Sequence, residues 1–395
     1  MSDAAALTAD LSSTATYREI IQQPDVWRET ARIVGAQRPT LDDFLAPLLR
    51  REDLRVVLTG AGTSAFIGQI AAPSLGARLG RRVEAVATTD LVSHPGAYLP
   101  QDVPTLLVSF ARSGDSPEST AATELADRFL GEVSHLIITC NPEGALNRAH
   151  KARPGSFVLL MPERSHDDGF AMTSSFTSML LAVLLAFRGD DDVSVDALAG
   201  AAEQLLAQRT RIAALADCVP QRLVYLGGGP LAGLAREAAL KTLELTAGRV
   251  VAYHDSSLGF RHGPKAVLNA HSLAVVFRSA DPYSGAYDED IVEELRGTLG
   301  RSRVLTVSVG QAGGPQSASA SADWTLAGLE ALDDAYLAVV YIVFAQLFAL
   351  YCSAALGLTP DNPFPRGDVN RVVKGVTIHP LIDAPAPDCA AERRP

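Results

Sequence analysis

The chain has 395 residues, of which 47% are hydrophobic and 20% charged, and its formal net charge is −11. This composition supports a large buried core and excludes wholesale disorder. The acidic excess argues against nucleic acid as a partner, because neutralising phosphates requires clustered Lys and Arg. An anion can still be bound locally, at the N-terminus of a helix. The length predicts two or three domains.

The four cysteines are widely separated, with no C-x-x-C and no metal-ligand spacing: Cys140, Cys218, Cys352 and Cys389. They are typical of reduced thiols in a cytoplasmic protein. The N-terminal residues lack the basic region and apolar core of a signal peptide, which also favours the cytoplasm. The sequence therefore predicts no metal site.

A long-range repeat organises the chain. Four anchors recur 167 residues apart: 56–62 and 223–229, 106–108 and 273–275, 136–139 and 303–306, and Phe157 and Trp324. A period this long indicates duplicated domains rather than a solenoid. Within each half, short apolar runs alternate with helical segments, which is typical of buried parallel strands. The predicted fold is therefore α/β, with two tandem domains that are each a doubly wound parallel sheet flanked by helices.

The predicted domains follow from this repeat. Residues 1–50 are expected to form a helical lead-in, residues 51–200 the first domain and residues 201–358 the second. Residues 359–395 are expected to form a C-terminal tail that carries Lys374.

Two loops of the first domain carry hydroxyl groups outside the predicted carboxyl ends of strands, where ligands bind in such sheets. Thr63 and Ser64 follow a glycine turn at the start of a predicted helix. Arg112, Ser113 and Ser116 lie in a second loop that ends a strand and opens the next helix. Hydroxyls and free helix N–H groups can hold a phosphate. The same hydroxyls could instead only cap the two helices.

A dinucleotide site is the alternative for the first loop. Residues 60–65 fit G-x-G-x-x-A, and Asp90 ends the next apolar stretch as a possible ribose ligand. That motif alone is weak, and a dinucleotide fold does not need the second hydroxyl loop. We therefore expect a phosphate site and no cofactor.

The second domain contains groups that can move protons. Lys241 and Glu244 are three residues apart, so a helix places them on one face, and His262 precedes a Gly-Pro pair. With Lys374 they supply the carboxylate, imidazole and ammonium needed to open a sugar ring and transfer a proton between C1 and C2. A solvated ion pair, a helix cap and a surface lysine are the simpler alternatives.

The segment from Ala335 to Leu358 carries no charge and is long enough to cross a bilayer. Gln346 and Ser353 interrupt it, however, and no basic cluster flanks it. We predict a helix that is buried on all sides, inside a soluble core or a subunit interface.

From the residues above, the chain resembles proteins with two tandem sugar isomerase (SIS) domains, such as the isomerase half of glutamine–fructose-6-phosphate aminotransferase. The resemblance covers about residues 51–379. The phosphate-binding G-T-S turn of that family matches residues 62–64, and its S-x-S-G-x-T loop matches residues 111–116. An alanine replaces the first serine of this loop, Arg112 replaces a glutamine and Ser116 a threonine. The guanidinium could compensate for the lost hydroxyl.

The catalytic motifs of the family also have counterparts. Its K-x-x-E matches residues 241–244, its H-G-P matches residues 262–264 and its C-terminal K-S-V-T-V matches residues 374–378. The longer runs 259–265 and 361–377 are most similar to the galactosamine-6-phosphate deaminase/isomerase subfamily.

The resemblance implies roles for these side chains. We hypothesise that His262 handles the proton at the ring oxygen, Glu244 moves a proton from C2 to C1, and Lys241 is an electrostatic partner of Glu244. Lys374 could form a Schiff base with the open sugar or only stabilise the enolamine oxygen. In the aminotransferase the histidine loop comes from the neighbouring subunit, so the resemblance implies a homodimer with a shared active site. No role is predicted for the nearby Glu237.

The predicted function follows from what precedes the first repeat. About fifty residues, with no cysteine, stand there, so glutamine is not expected to be the nitrogen source. The same chemistry in reverse converts D-galactosamine 6-phosphate and water to D-tagatose 6-phosphate and ammonia. Glucosamine 6-phosphate as substrate, and isomerisation of tagatose 6-phosphate without nitrogen release, stay open as alternatives.

A non-catalytic sugar-phosphate sensor is a different class. It would need a basic DNA-binding helix pair ahead of the first repeat, for which the sequence has no candidate. The expected partner is a small-molecule sugar phosphate, with neither nucleic acid nor a membrane.

Overall fold

The structure is a computed structural model that describes residues 11–100, 103–188, 193–310, 323–373 and 375–381. The described residues form two five-stranded sheets in which every strand pair is parallel.

The first sheet has the strand order β2-β1-β3-β4-β5. Its strands are β1 (Arg55–Thr59), β2 (Val83–Ala85), β3 (Thr105–Ala111), β4 (Val133–Thr139) and β5 (Ser156–Leu160). The second sheet has the corresponding order β7-β6-β8-β9-β10. Its strands are β6 (Arg222–Leu226), β7 (Val251–Asp255), β8 (Ser272–Phe277), β9 (Val304–Val309) and β10 (Asp323–Leu326). Identical strand orders confirm the predicted duplication of a doubly wound α/β domain.

Helices cover both faces of each sheet. Those before and within the first half are α1 (Ala15–Ile21), α2 (Gln23–Ala36), α3 (Arg38–Leu49), α4 (Thr63–Leu79), α5 (Thr88–Ser93), α6 (Pro95–Tyr98), α7 (Pro117–Phe129), α8 (Ala145–His150) and α9 (Ser174–Ala186). Those of the second half are α10 (Val195–Ala207), α11 (Arg209–Leu215), α12 (Pro230–Leu245), α13 (Pro282–Leu299) and α14 (Asp334–Ala355).

The glycine turns that open α4 and α12 are conformational copies. Gly62 has φ 56° and ψ −127°, and Gly229, 167 residues later, has φ 53° and ψ −125°. Side chains rarely adopt this region, so glycine is required at both positions. A Cβ at Gly60 or Gly227 would lie 2.7 Å from the helix that follows. The repeat is therefore present in the backbone geometry as well as in the strand order.

The fourth strand of each half departs from the predicted separation. β4 begins at Val133 and β9 at Val304, which is 171 residues later. The predicted match of Leu136 with Arg303 is wrong, because Arg303 lies in a short 3-10 turn before the strand. The preceding helix explains the shift, since α7 has 13 residues and its counterpart α13 has 18.

Helix α14 lies inside the core, as predicted. Among the described residues it is the helix long and apolar enough to cross a membrane, and 94% of its most apolar window is buried within the protein. It packs against α10 and α12. Gln346 Oε1 accepts a hydrogen bond from Gln23 Nε2 at 2.8 Å, and this bond compensates for burial of its polar carbonyl.

Candidate active site

The candidate site is formed where the two halves meet. Helix α4 of the first half and α12 of the second cross closely at Gly233, where an added Cβ would lie 2.9 Å from Ile70 Cγ1. The guanidinium of Arg236 also stacks over the Phe66 ring at 4.7 Å. The two helices run antiparallel, so the C-terminal half of α12 lies beside the N-terminus of α4.

Lys241 joins the two halves at this crossing. Its side chain is fully buried, and its Nζ donates to Thr63 Oγ1 at 3.0 Å and to Glu244 Oε2 at 2.5 Å. Nζ also lies 3.4 Å from Glu237 Oε1. Two residues predicted for phosphate binding and for catalysis, Thr63 and Lys241, are therefore in direct contact.

Lys241 is held in its charged form. Burial lowers the pKa of Lys241 through desolvation, but the negative charges of Glu237 and Glu244 raise it by more, so that the pKa is above its usual value. A protonated amine cannot act as a nucleophile. The side chain is suited instead to orient Glu244 and to stabilise negative charge on a bound substrate.

Glu244 and Glu237 lie on the same face of α12 and differ in burial. The Glu244 side chain retains 23% of its exposure, so a substrate can reach it, whereas Glu237 is fully buried. Desolvation raises the pKa of Glu237 to about 8; Lys241 opposes this effect and the charge of Glu244 adds to it. The sequence analysis found no role for Glu237, although its position four residues before Lys241 places both on one helix face.

Arg112 extends from the first half towards this cluster. It is buried, and its guanidinium donates to the carbonyl oxygens of Arg371 at 2.9 Å and Phe170 at 3.4 Å. Burial and the neighbouring Arg371 lower the pKa of Arg112, while the charges of Asp167 and Glu244 raise it. Two of its N–H groups are thus used by backbone carbonyls, and phosphate binding by Arg112 stays a prediction.

The other hydroxyls of the first half stand at helix N-termini. Ser116 Oγ accepts from Ser119 N at 3.3 Å and is the N-cap of α7. Ser113 Oγ accepts from Asp115 N at 3.3 Å, and Ser64 is buried in the first turn of α4. The capping alternative therefore applies to Ser116. Its role and those of Ser64 and Ser113 in phosphate binding stay predictions.

The corresponding loop of the second half, after β8, has its donors occupied by carboxylates of the same chain. Asp334 accepts from Ser279 Oγ at 2.6 Å and from Ala280 N at 3.1 Å. Asp288 accepts from Ser279 N at 2.9 Å and from Ser257 Oγ at 2.5 Å.

The C-terminal segment lies across the first half, beside Arg112. Asp361 accepts from Ala15 N and Thr16 N at 2.8 Å each and so fixes the segment to the start of α1. Phe364 packs on Phe170 with 5.3 Å between ring centroids. Further along, Arg371 donates to the Asp167 carbonyl. Lys374 itself lies outside the described residues.

His262 is separate from the buried cluster. It is exposed, between two 3-10 turns, Gly259–Arg261 and Pro264–Val267. Within the described part of the chain its imidazole forms no hydrogen bond or ion pair. The structure thus brings together Thr63, Lys241 and Glu244, and it does not bring His262 to them. No group of three or more His, Cys, Asp or Glu side chains in the described ranges is placed to hold a metal.

Two duplicated parallel sheets with a polar site at their crossing define a tandem SIS-domain protein, and the SIS domain family model matches residues 48–188. An AgaS protein of Streptomyces coelicolor is 60% identical over 382 residues, which are 95% of this chain and 98% of that protein. D-galactosamine-6-phosphate deaminase AgaS of Escherichia coli is 45% identical over 384 residues, 94% of this chain and 97% of that protein.

A solved structure is similar over the same length. Tagatose-6-phosphate ketose/aldose isomerase from Escherichia coli is 42% identical, with a TM-score of 0.84 and coverage of 93% of this chain and 97% of that one. The chain belongs to the AgaS family of SIS-domain proteins.

Proposed function

We propose that the chain is an amino-sugar-phosphate deaminase/isomerase, which converts D-galactosamine 6-phosphate and water to D-tagatose 6-phosphate and ammonia. The observation that carries this proposal is the name of a relative that is 45% identical over nearly its whole length, a D-galactosamine-6-phosphate deaminase. The accessible Glu244 carboxylate beside the Lys241 ammonium supports it, because these groups suit proton transfer next to a carbonyl.

The reaction would proceed in three stages. His262 handles the proton at the ring oxygen as the pyranose opens to the aldehyde. Glu244 removes the C2 proton and returns it at C1, so that the C1 aldehyde becomes an alcohol and the C2 amine a ketimine. Water then adds to C2, and the C–N bond breaks to give the ketose and ammonia. Lys241 holds Glu244 in place throughout.

The remaining site residues act on the substrate's charged groups. Thr63, Ser64, Ser113 and Ser116 bind the phosphate through hydroxyls and helix N–H groups, with Arg112 nearby. Lys374 stabilises the enolamine oxygen or forms a Schiff base with the open sugar. Neither a metal nor a cofactor is needed in this scheme.

We also propose that the enzyme is a cytoplasmic homodimer in which each active site receives His262 from the partner subunit. The exposure of His262 supports this, since it forms no hydrogen bond with another described residue. Three apolar side chains in the same half are also exposed: Leu243, Val251 and Leu258. Exposed apolar groups close to functional residues are typical of subunit interfaces.

A second function is favoured by the similar solved structure, which is named as a tagatose-6-phosphate ketose/aldose isomerase. That reaction would use the same Glu244 and His262 and release no nitrogen. The galacto or gluco configuration of an amino-sugar substrate depends on contacts at the C4 hydroxyl.

The test is ammonia and ketose release from galactosamine 6-phosphate and from glucosamine 6-phosphate, with wild type and Glu244→Gln. We expect ammonia and ketose in equal amounts from the galacto sugar, and loss of both in the variant. Ammonia from the gluco sugar alone would change the substrate. The absence of ammonia from both sugars, with turnover of tagatose 6-phosphate, would replace deamination by isomerisation.

A further inference from the structure

The loop that carries His262 is anchored as one unit on helix α13. Phe260, two residues before the histidine, is fully buried, in an apolar cluster with Ile291 and Leu295 of that helix. Val267, at the other end of the loop, packs against the same cluster. The imidazole is exposed and has no partner of its own among the described residues, so its direction depends on the backbone around it.

A single carboxylate of α13 holds the loop on both sides of the histidine. Glu294 Oε2 accepts from Arg261 Nε at 2.8 Å, and Glu294 Oε1 accepts from Lys265 Nζ at 2.5 Å. Arg261 directly precedes His262, and Lys265 follows it by three residues. Hydrogen bonds between ionised partners are about twice as strong as neutral ones and restrict geometry more tightly.

A second carboxylate of α13 fixes the start of the loop. Asp288 is buried and accepts from Ser257 Oγ at 2.5 Å. The backbone turns tightly just beyond, because a Cβ at Gly259 would lie 2.6 Å from Asp255 Oδ1. With this end already fixed, the conformational freedom left to the loop lies between Phe260 and Val267, and Glu294 bridges that stretch.

We propose that Glu294 is a positioning residue for His262, which it directs by holding Arg261 and Lys265 together. The proposal rests on the proposed function, in which His262 transfers the proton at the ring oxygen. The Glu294 side chain and its two partners each retain about a third of their exposure, and ion pairs in such positions contribute little to stability. Their loss should therefore affect turnover far more than folding.

The test compares two substitutions that make the same charge change at adjacent positions. Glu294→Gln removes the bridging charge, and Glu293→Gln, at an exposed neighbouring site, is the control. We expect Glu294→Gln to lower kcat at least about tenfold, because small displacements of a catalytic group cost this much. KM and the thermal unfolding temperature should stay near their wild-type values. Glu293→Gln should match wild type throughout.

A double-variant cycle separates positioning from an independent effect. If Glu294 acts through His262, then Glu294→Gln should have no further effect on kcat in a His262→Ala background. An equal loss of kcat in both backgrounds would overturn the proposal, and so would a wild-type kcat in Glu294→Gln.

A second measurement needs no turnover and keeps the proposal testable if the substrate is different. Amide hydrogen exchange reports protection of the loop backbone, where His262 N donates to Gly259 O and Ala266 N to Gly263 O. Glu294→Gln should exchange faster at these amides, and Glu293→Gln should not. Unchanged protection in Glu294→Gln would refute the positioning role, whereas an inactive wild type would refute only the assigned reaction.

Discussion

Lys241 and Thr63 come from different halves of the duplicated chain, and the Lys241 Nζ lies 3.0 Å from the Thr63 Oγ1. One side chain thus links a helix of the second domain to the first turn of a helix in the first. The proton-transfer pair and the predicted phosphate loop are therefore held in fixed register, and each depends on the other half.

Replacing Lys241 should damage both folding and turnover. In Lys241→Met the carboxyl groups of Glu237 and Glu244 lose the ammonium between them, and Glu237 is fully buried. Removing one partner of a buried ion pair typically costs about 3–5 kcal/mol. We expect a decrease of that order in the free energy of unfolding, measured by urea denaturation at pH 7. Adding Glu237→Gln should recover part of it; no recovery would mean that the two side chains are not coupled.

The buried Glu237 should make stability depend on pH. Its pKa is raised from 4.5 to about 8, mainly by desolvation, so between these values the folded state retains a proton that the unfolded state releases. This contribution is complete below about pH 4.5 and is lost as the pH rises through about 8. The difference in unfolding free energy between wild type and Glu237→Gln should therefore shift in favour of the variant from pH 5 to pH 9. A constant difference would show that Glu237 does not titrate in this range.

A histidine pair in the first domain should give the opposite pH dependence. The His135 and His150 ring centroids are 4.8 Å apart, and burial, with the nearby charges of His135 and Arg153, lowers the pKa of His150 to about 4. A lowered pKa contributes stability that is present above about pH 6.5 and is lost as the pH falls towards 4. Chemical denaturation of His150→Gln between pH 7 and pH 4.5 should show a weaker decline than wild type. An equal decline would exclude this residue as the cause.

A shared active site predicts that two inactive variants restore activity when mixed. Glu244→Gln retains His262, and His262→Ala retains Glu244, so a mixed dimer has one intact site. Random exchange of subunits should recover about a quarter of the wild-type activity, because half of the dimers are mixed and each has one working site. The two variants are unfolded, refolded together and assayed beside each variant refolded alone. No recovery, with dimers confirmed by light scattering, would place His262 and Glu244 of one chain in the same site.

Much of the fold could be predicted from the sequence, because it depends on regular patterns. Short apolar runs predicted the parallel strands, and the absence of charge between Ala335 and Leu358 predicted a buried helix. The spacing of Lys241 and Glu244 placed both on one helix face, as the structure confirms. The separation of the β4 and β9 strands was not predictable in the same way, since helix length can change without altering strand order.

The rest of the candidate site depends on three-dimensional proximity. Glu237 was unremarkable as a sequence feature until the crossing of α4 and α12 buried it beside Lys241. The carbonyl partners of Arg112 come from Phe170 and from Arg371, which is 259 residues away along the chain. No local pattern specifies contacts of this range. Exposure of His262 likewise depends on packing around the loop rather than on its motif.

The loop after β8 gives the duplicated chain an unequal pair of halves. Its N–H and hydroxyl donors already bind Asp288 and Asp334, so a fixed negative charge occupies the place that an anion could take in the first half. A phosphate entering there would meet two carboxylates and would be repelled. Duplication has therefore doubled the scaffold without doubling its capacity for ligand. Equilibrium titration with a sugar phosphate should saturate at one molecule per chain.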